Sequence, residues 1–324
     1  MSAHLPDWIE PELATLTRER FSDPGWLFER KLDGERCIAF CDGPRIRLVT
    51  RNQKEVASNY PELVDALGDQ RQGDFIVDGE IVAFDGDRTS FALLQQRIHV
   101  IRPGPELRRR VPVYYYVFDV MYEGDNDVRP RPLRERKTLL ADLLPFRDPL
   151  RIPEHRERDG EEYYRQACQK GWEGVIAKRA DAPYRSGRTK DWLKFKCEAG
   201  QEFVIGGFTD PQRSRVGFGA LLLGYYDPDG HLVYAGKVGT GFDDRTLRSL
   251  REELAALETD HPPFDRGDLP RSSRSKDGVH WVEPRMVAQV GFSEWTKDGQ
   301  LRHPRFQGLR RDKAPQEVVR EVPT

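Results

Sequence analysis

Cysteine is scarce in this chain of 324 residues: there are four, Cys37, Cys41, Cys168 and Cys197, and no two have C-x-x-C spacing. That pattern excludes a zinc ribbon and suggests no disulfide framework, so all four are expected to be buried or inert thiols in a reducing compartment. Long apolar runs are missing, which excludes a membrane-spanning helix. Residues 1–12 are polar and acidic and lack the apolar centre of a signal peptide. Net charge of one sign is missing too: 52 Lys and Arg against 54 Asp and Glu leave −2, so nothing global marks a nucleic-acid partner. There is no internal repeat and no extended low-complexity tract. These lacks point to a soluble, cytoplasmic protein without membrane contact.

What is present argues for a folded, two-domain chain. Charged residues are 33% of the total, but aromatics at 10% argue against disorder. The length exceeds one typical core. Positive charge is local. Residues 184–196 carry five cations against one acid, and so do residues 302–313. Either patch alone reads as a solvated face; together they suit a phosphate backbone.

Short strands dominate the first half. Residues 26–32, 36–41 and 45–50 read as consecutive strands, with Asp33-Gly34 and Asp42-Gly43 placed as hairpin turns. Further strands are expected at 75–84, 111–121, 175–178 and 192–196, and helices at 60–67, 133–144 and 161–170. The character changes after Cys197. Strands at 203–208, 219–226, 232–238, 279–290 and 292–295, with one helix at 243–258, suit a small Greek-key barrel of the OB type. Residues 266–278 read as an exposed loop. The boundary falls near 197–201, giving domains 1–200 and 201–324.

The chemistry begins at Glu29-Arg30-Lys31-Leu32-Asp33-Gly34-Glu35-Arg36. A lysine ending a strand is usually a solvated charge, and K-x-D-G alone is weak. The fuller K-x-D-G-x-R pattern, with an acid two residues before the lysine, resembles the first motif of the covalent nucleotidyltransferases. The chain then continues that family's order. It carries Thr50-Arg51-Asn52, Asp78-Gly79-Glu80, Tyr116-Val117-Phe118-Asp119, Glu173-Gly174-Val175-Ile176-Ala177-Lys178, Trp192-Leu193-Lys194-Phe195-Lys196 and Arg310-Arg311-Asp312-Lys313. Each is short, but all of them in order leave little room for chance.

The resemblance implies a division of labour that physical chemistry supports. Lys31 is the expected nucleophile on the α-phosphorus of ATP. As a free lysine it would be protonated at neutral pH, so burial and nearby cations are expected to lower its pKa. Lys194 and Lys196, two apart on one strand, share a face and would also stabilise phosphate charge. Glu173 and Glu80 offer hard oxygens to a divalent metal, Mg²⁺ or Mn²⁺. For the nucleoside, the family implies Phe118 stacking on adenine and Glu29 reading its exocyclic amine. Arg36 and Glu80 would lie by the ribose, Arg51 by the sugar or the nick's 5′-phosphate. Alternation puts Tyr114, Tyr116 and Phe118 on one face. Arg310 and Lys313 would bind the leaving phosphates of ATP, and Arg185 and Arg188 the DNA backbone.

Within that superfamily, the missing tetracysteine module argues against NAD as the nucleotide. The stretches Phe203-Val204-Ile205-Gly206-Gly207-Phe208, Gly217-Phe218-Gly219-Ala220-Leu221-Leu222-Leu223-Gly224 and Arg302-His303-Pro304-Arg305-Phe306-Gln307-Gly308-Leu309-Arg310 resemble the OB domain of bacterial ATP-dependent DNA ligases. The likeness is to end-joining ligases of the LigD type and their stand-alone relatives. It implies an α+β adenylation domain of antiparallel sheets and helices followed by an OB-fold barrel. It also implies nicked double-stranded DNA as substrate, a Ku-type end-binding protein as partner, and a bacterial, nucleoid-associated monomer. About thirty residues precede Lys31, so no helical DNA-binding domain is expected. An RNA ligase or RNA-capping guanylyltransferase is the rival enzyme. A non-catalytic nucleic-acid-binding OB protein is the rival of another class.

Overall fold

In the computed structural model, which describes residues 5–71, 73–197, 199–212, 214–269, 278–296 and 298–321, the Asp33-Gly34 turn does not close a hairpin. The strand Trp26–Lys31 lies in one sheet and the strand Glu35–Asp42 in another. The turn is therefore the crossing between two sheets. Glycine is required at Gly34, because a Cβ there would lie 2.2 Å from the Ile81 carbonyl oxygen. Asp42-Gly43 does close a hairpin, with Asp42 opposite Arg45.

The chain divides into two compact units, the first up to Cys197 and the second from there to Glu321. In the first unit, one sheet runs in the order Glu12–Leu16, Gly187–Lys196, Gly174–Arg179, Trp26–Lys31, His155–Glu157. Its first pair is parallel and the rest antiparallel. The other runs Leu150–Arg151, Tyr114–Glu123, Phe75–Val82, Glu35–Asp42, Arg45–Thr50. The inner faces meet in a mixed layer where Ile38, Ile76, Phe118 and Met121 of one sheet pack near Trp192 of the other. The outer face of the second sheet, including Cys37, Ala39 and Val77, packs on the helices Pro61–Gln70 and Phe91–Ile98. The outer face of the first packs on the helix Gly160–Gln169, which presents Tyr163 and Ala167 one turn apart. Phe28, Val175 and Phe195 are fully buried there, each contributing roughly 1.5–3 kcal/mol from burial.

That helix corrects the expectation for the cysteines. Cys168 lies at its end and Cys197 just past the strand Gly187–Lys196. The packing brings their Cα atoms to 5.2 Å, and the two form a disulfide. A separation of 29 residues gives no sequence sign of this. Cys37 and Cys41 remain free and buried.

In the second unit the strands run Leu232–Val238, Leu221–Tyr226, Ala199–Thr209, Val279–Phe292, Glu258–Thr259, with Arg305–Leu309 pairing the far half of Val279–Phe292. The strand Ala199–Thr209 bulges between Ile205 and Gly207. The extra residue resets the alternation, so Ile205 and Phe208 share one core while Val204 faces the other. The expected OB domain is present as a sheet that does not close: among the described residues the strand path is open at both ends. The 14-residue strand Val279–Phe292 pairs with three others, Ala199–Thr209, Glu258–Thr259 and Arg305–Leu309. The helix Asp244–Ala255 begins at Asp243, whose side chain accepts from the Thr246 amide. Of the loop expected at 266–278, residues 270–277 lie outside the described residues. No helix among those residues is long and apolar enough to cross a membrane.

Candidate active site

Register decides which side chains meet. Residues directly opposite in antiparallel strands point to one face. Lys31 is opposite Gly174, which is opposite Lys196; Glu29 is opposite Ile176, which is opposite Lys194; Leu27 is opposite Lys178, which is opposite Trp192. One face of the first sheet therefore displays Lys31, Glu29, Lys178, Lys194, Lys196 and Trp192. Gly174 lets the strands approach: it has φ +149°, and a Cβ would lie 1.9 Å from the Phe195 carbonyl oxygen. On the facing sheet, Arg36 is opposite Glu80, which is opposite Tyr116. The register of Tyr114–Glu123 slips between the partners of Asp78 and Gly79, leaving Phe118 as the extra residue. Alternation then restarts, with Val117 and Val120 in the outer core and Phe118 and Met121 in the inner layer.

Between the two faces is a cavity lined by Glu29, Lys31, Arg36, Glu80, Phe118 and Lys178, among others. Five of these were expected from sequence. Lys31 Nζ is 2.5 Å from Glu173 Oε1. Burial acts to lower the pKa of Lys31, but Glu173, Asp33 and Glu80 act to raise it, and the balance lies above the ordinary lysine value. This reverses the expected lowering, because the acids facing the ammonium outweigh its desolvation. Glu173 Oε2 is buried without a hydrogen-bond partner among the described residues. A carboxylate with a spare buried oxygen, acting with Glu80 on the same Lys31 ammonium, suits a hard divalent cation.

At the other end, Glu29 is held by two lysines. Lys178 Nζ is 2.8 Å away, and Lys137, from the helix Leu133–Leu143, forms a second ion pair. Burial alone would raise the pKa of Glu29, yet Lys137 and Lys178 bring it down to about 2. Two ammoniums share one carboxylate, and burial draws Lys178 down to about 8. Lys178 Nζ also lies 4.2 Å from the Phe118 ring centre and 4.0 Å from that of Trp192.

Arg36 is oriented by Asp78, which accepts from Nε and Nη2 at 2.6 Å each. Its pKa is raised, Asp78 outweighing the opposing effect of burial. The guanidinium lies 4.5 Å from the Phe118 ring centre. Asp78 accepts a further bond from Tyr184 Oη at 2.6 Å.

The other expected residues stand outside this lining. Arg51 follows Thr50, which pairs with Cys37 beside Arg36. Arg185 pairs with Asp191 at 2.5 Å, and Arg188 donates to the Ala14 carbonyl at 2.6 Å. In the second unit, Arg310 is bound by Asp312 at 2.7 Å, and Lys313 lies 3.0 Å from Glu202. Sequence reasoning missed Lys137 and gave Lys178 no role. A signal was there for Lys137. It sits four residues after Leu133 and three before Leu140, on the buried stripe of its helix. A cation on an apolar stripe needs a buried partner.

Comparison with known proteins shows the family. The family model described as "ATP dependent DNA ligase domain" matches residues 11–196, and "ATP dependent DNA ligase C terminal region" matches residues 214–313. The chain is 39% identical over 98% of its length to the multifunctional non-homologous end joining protein LigD of Pseudomonas aeruginosa. It is 38% identical over 97% to the LigD of Mycobacterium tuberculosis. It spans only 37% and 40% of those two relatives. A solved mycobacterial DNA ligase D complexed with ATP and MES shares 37% identity. The match has a TM-score of 0.68 and covers 97% of this chain and 98% of that one. Fold and site together define a nucleotidyltransferase, and the chain belongs to the ATP-dependent DNA ligases.

Proposed function

We propose that this chain joins DNA ends of the kind met in non-homologous end joining, through AMP carried on Lys31. The observation that carries the reading is the placement of Lys31 in one cavity with Glu29, Arg36, Glu80 and Phe118. Lys31 Nζ bonds to the α-phosphorus of ATP, the bond to the bridging oxygen breaks, and pyrophosphate leaves. The AMP then passes to a 5′-phosphate on DNA, freeing Lys31. The 3′-hydroxyl attacks that phosphate, gives up its proton and expels AMP. All three steps are in-line displacements at phosphorus, so one cationic site serves them.

The residues divide the work. Phe118 stacks on the base and Glu29 accepts from its amine. Arg36 and Glu80 hold the ribose, and Arg51 the sugar or the 5′-phosphate. Glu173 holds the Lys31 ammonium in place. Lys194 and Lys196, displayed on the same sheet face, favour loss of its proton and take charge building on phosphorus. Held by Glu173 and Glu80, Mg²⁺ or Mn²⁺ would add Lewis-acid charge at the phosphate. Arg310 and Lys313 meet the leaving phosphates, and Arg185 and Arg188 the DNA backbone. Nicked double-stranded DNA is the substrate, a Ku-type end-binding protein the partner, and the cytoplasm near the nucleoid the setting of a monomer.

The test is covalent labelling with α-³²P-ATP followed by sealing of nicked DNA and nicked RNA. The wild type should label and seal DNA, and Lys31→Ala should fold but take up no label. Labelling of Lys31→Ala at the wild-type level would move the nucleophile elsewhere.

A further inference from the structure

We propose that the Cys168–Cys197 bond is a reversible modification site, opened and closed by a low-molecular-weight thiol and its disulfide, that sets the rate at which Lys31 takes up AMP. This rests on reading Lys31 as the adenylated residue.

The chain holds two kinds of cysteine, and only one suits exchange. Cys37 and Cys41 are free and fully buried. Burial raises both thiols, Cys41 to about 12, so neither offers a thiolate. Cys168 and Cys197 are bonded to each other and half-buried, so a small thiol can reach them. In the cytoplasm proposed above, a disulfide is as a rule transient, catalytic or redox-sensing.

Position gives this bond a hold on the site. Cys197 follows Lys196 directly, and Lys196 is opposite Gly174, which is opposite Lys31. The Cys197 amide donates to the Glu173 carbonyl at 3.0 Å, and the Gly171 amide donates to the Cys168 carbonyl at 3.0 Å. Gly171-Trp172-Glu173 is thus tied to one cysteine at each end, and Glu173 in turn pairs with Lys31. One turn before Cys168 on the same helix face, Tyr164 Oη donates to the Lys196 carbonyl at 3.1 Å. The helix Gly160–Gln169 therefore grips the end of the strand Gly187–Lys196 twice, once by a hydrogen bond and once covalently. Opening the bond leaves the hydrogen bond alone, and Glu173 and Lys196 are then held less closely to Lys31. Glu29, Arg36 and Phe118 lie outside the loop that the bond closes.

Opening consumes two thiols. The first, as thiolate, attacks one sulfur, forms a mixed disulfide and expels the other cysteine as thiolate. The second displaces the first, leaving two cysteine thiols and one small-molecule disulfide. Two electrons pass to the Cys168–Cys197 bond and two thiol protons end on its sulfurs. Closing is the reverse, with the small-molecule disulfide as oxidant.

The experiment equilibrates the whole chain with glutathione and glutathione disulfide across a range of ratios. Alkylation and intact mass give the bonded fraction, and α-³²P-ATP gives the initial rate of Lys31 labelling in the same samples. Rate and bonded fraction should rise together. The reduced chain should label about 10-fold more slowly at saturating ATP, with the ATP concentration for half-maximal labelling unchanged. Cys168→Ser combined with Cys197→Ser should label at the reduced rate at every ratio. A rate that stays flat while the bonded fraction changes overturns the inference, as does alkylation of both cysteines at every ratio. A loss confined to ATP affinity, or a double variant whose rate still follows the ratio, overturns it too. So does near-ultraviolet circular dichroism that shows the reduced chain unfolded, because a bond the fold requires is a staple and no switch. A wild type that takes up no label in either state overturns the proposed function instead.

Discussion

Asp78 accepts from both the Nε and the Nη2 of Arg36 at 2.6 Å, and Tyr184 donates to the same carboxylate. Asp78 is fully buried, whereas Glu80, two residues on, lines the cavity. The acids of Asp78-Gly79-Glu80 therefore stand differently, one holding Arg36 and the other facing the cavity. Asp78→Asn leaves the partly exposed Arg36 guanidinium half-paired beside a fully buried amide, at about 1–3 kcal/mol of stability. Chemical denaturation should show that loss. ATP titration of the folded fraction should show weaker binding, and unchanged affinity would leave Asp78 a purely structural residue.

Arg185 and Arg188 are exposed at the guanidinium while anchored to Asp191 and the Ala14 carbonyl. Replacing both with Ala should flatten the salt dependence of nick binding by roughly one log–log unit per lost phosphate contact. Self-labelling should survive. A wild-type slope would return these arginines to the ordinary surface.

Arg310 and Lys313 share the neighbourhood of Glu202. Their expected task is to stabilise departing pyrophosphate, a product of the first step only. Arg310→Ala and Lys313→Ala should lose most ATP-dependent labelling of Lys31, yet seal a nick already carrying a 5′-adenylate. Equal loss in both assays would point to folding or DNA binding, and normal labelling would remove these residues from the first step.

Acid stability should depend on Glu29. Burial opposes its charge, but Lys137 and Lys178 hold its pKa at about 2, below the ordinary 4.5. A carboxyl depressed on folding contributes stability in full above its unfolded pKa and loses it as pH falls through the folded one. The contribution should therefore fade between about pH 4.5 and pH 2. Urea melts of the wild type and of E29Q combined with K137M should converge across that window. Parallel curves from pH 6 to pH 3 would show that Glu29 does not titrate there.

Much of the site was legible because its residues are set by short-range pattern. Lys31, Glu29 and the pair Lys194 and Lys196 follow from strand alternation, which puts every second side chain on one face. Phe118 kept its expected face, although it is itself the extra residue at the register slip, after which the alternation changes. The order of motifs was also enough to imply an adenylation unit followed by an OB unit.

Other features depended on pairings between segments far apart in the chain, to which local pattern is blind. Asp33-Gly34 has the sequence of a hairpin turn, yet Gly34 sits against the Ile81 carbonyl and carries the chain from one sheet to the other. Lys31 was expected to have a lowered pKa from its cationic neighbours, but register places Glu173 on its ammonium. Cys168 and Cys197 bond because a helix end packs against a strand end. The sequence by itself determined which chemical groups are available and the order in which they come. Tertiary structure alone decided which acid faces which base, because an ion pair depends on distance and burial, and both are properties of how the sheets stack.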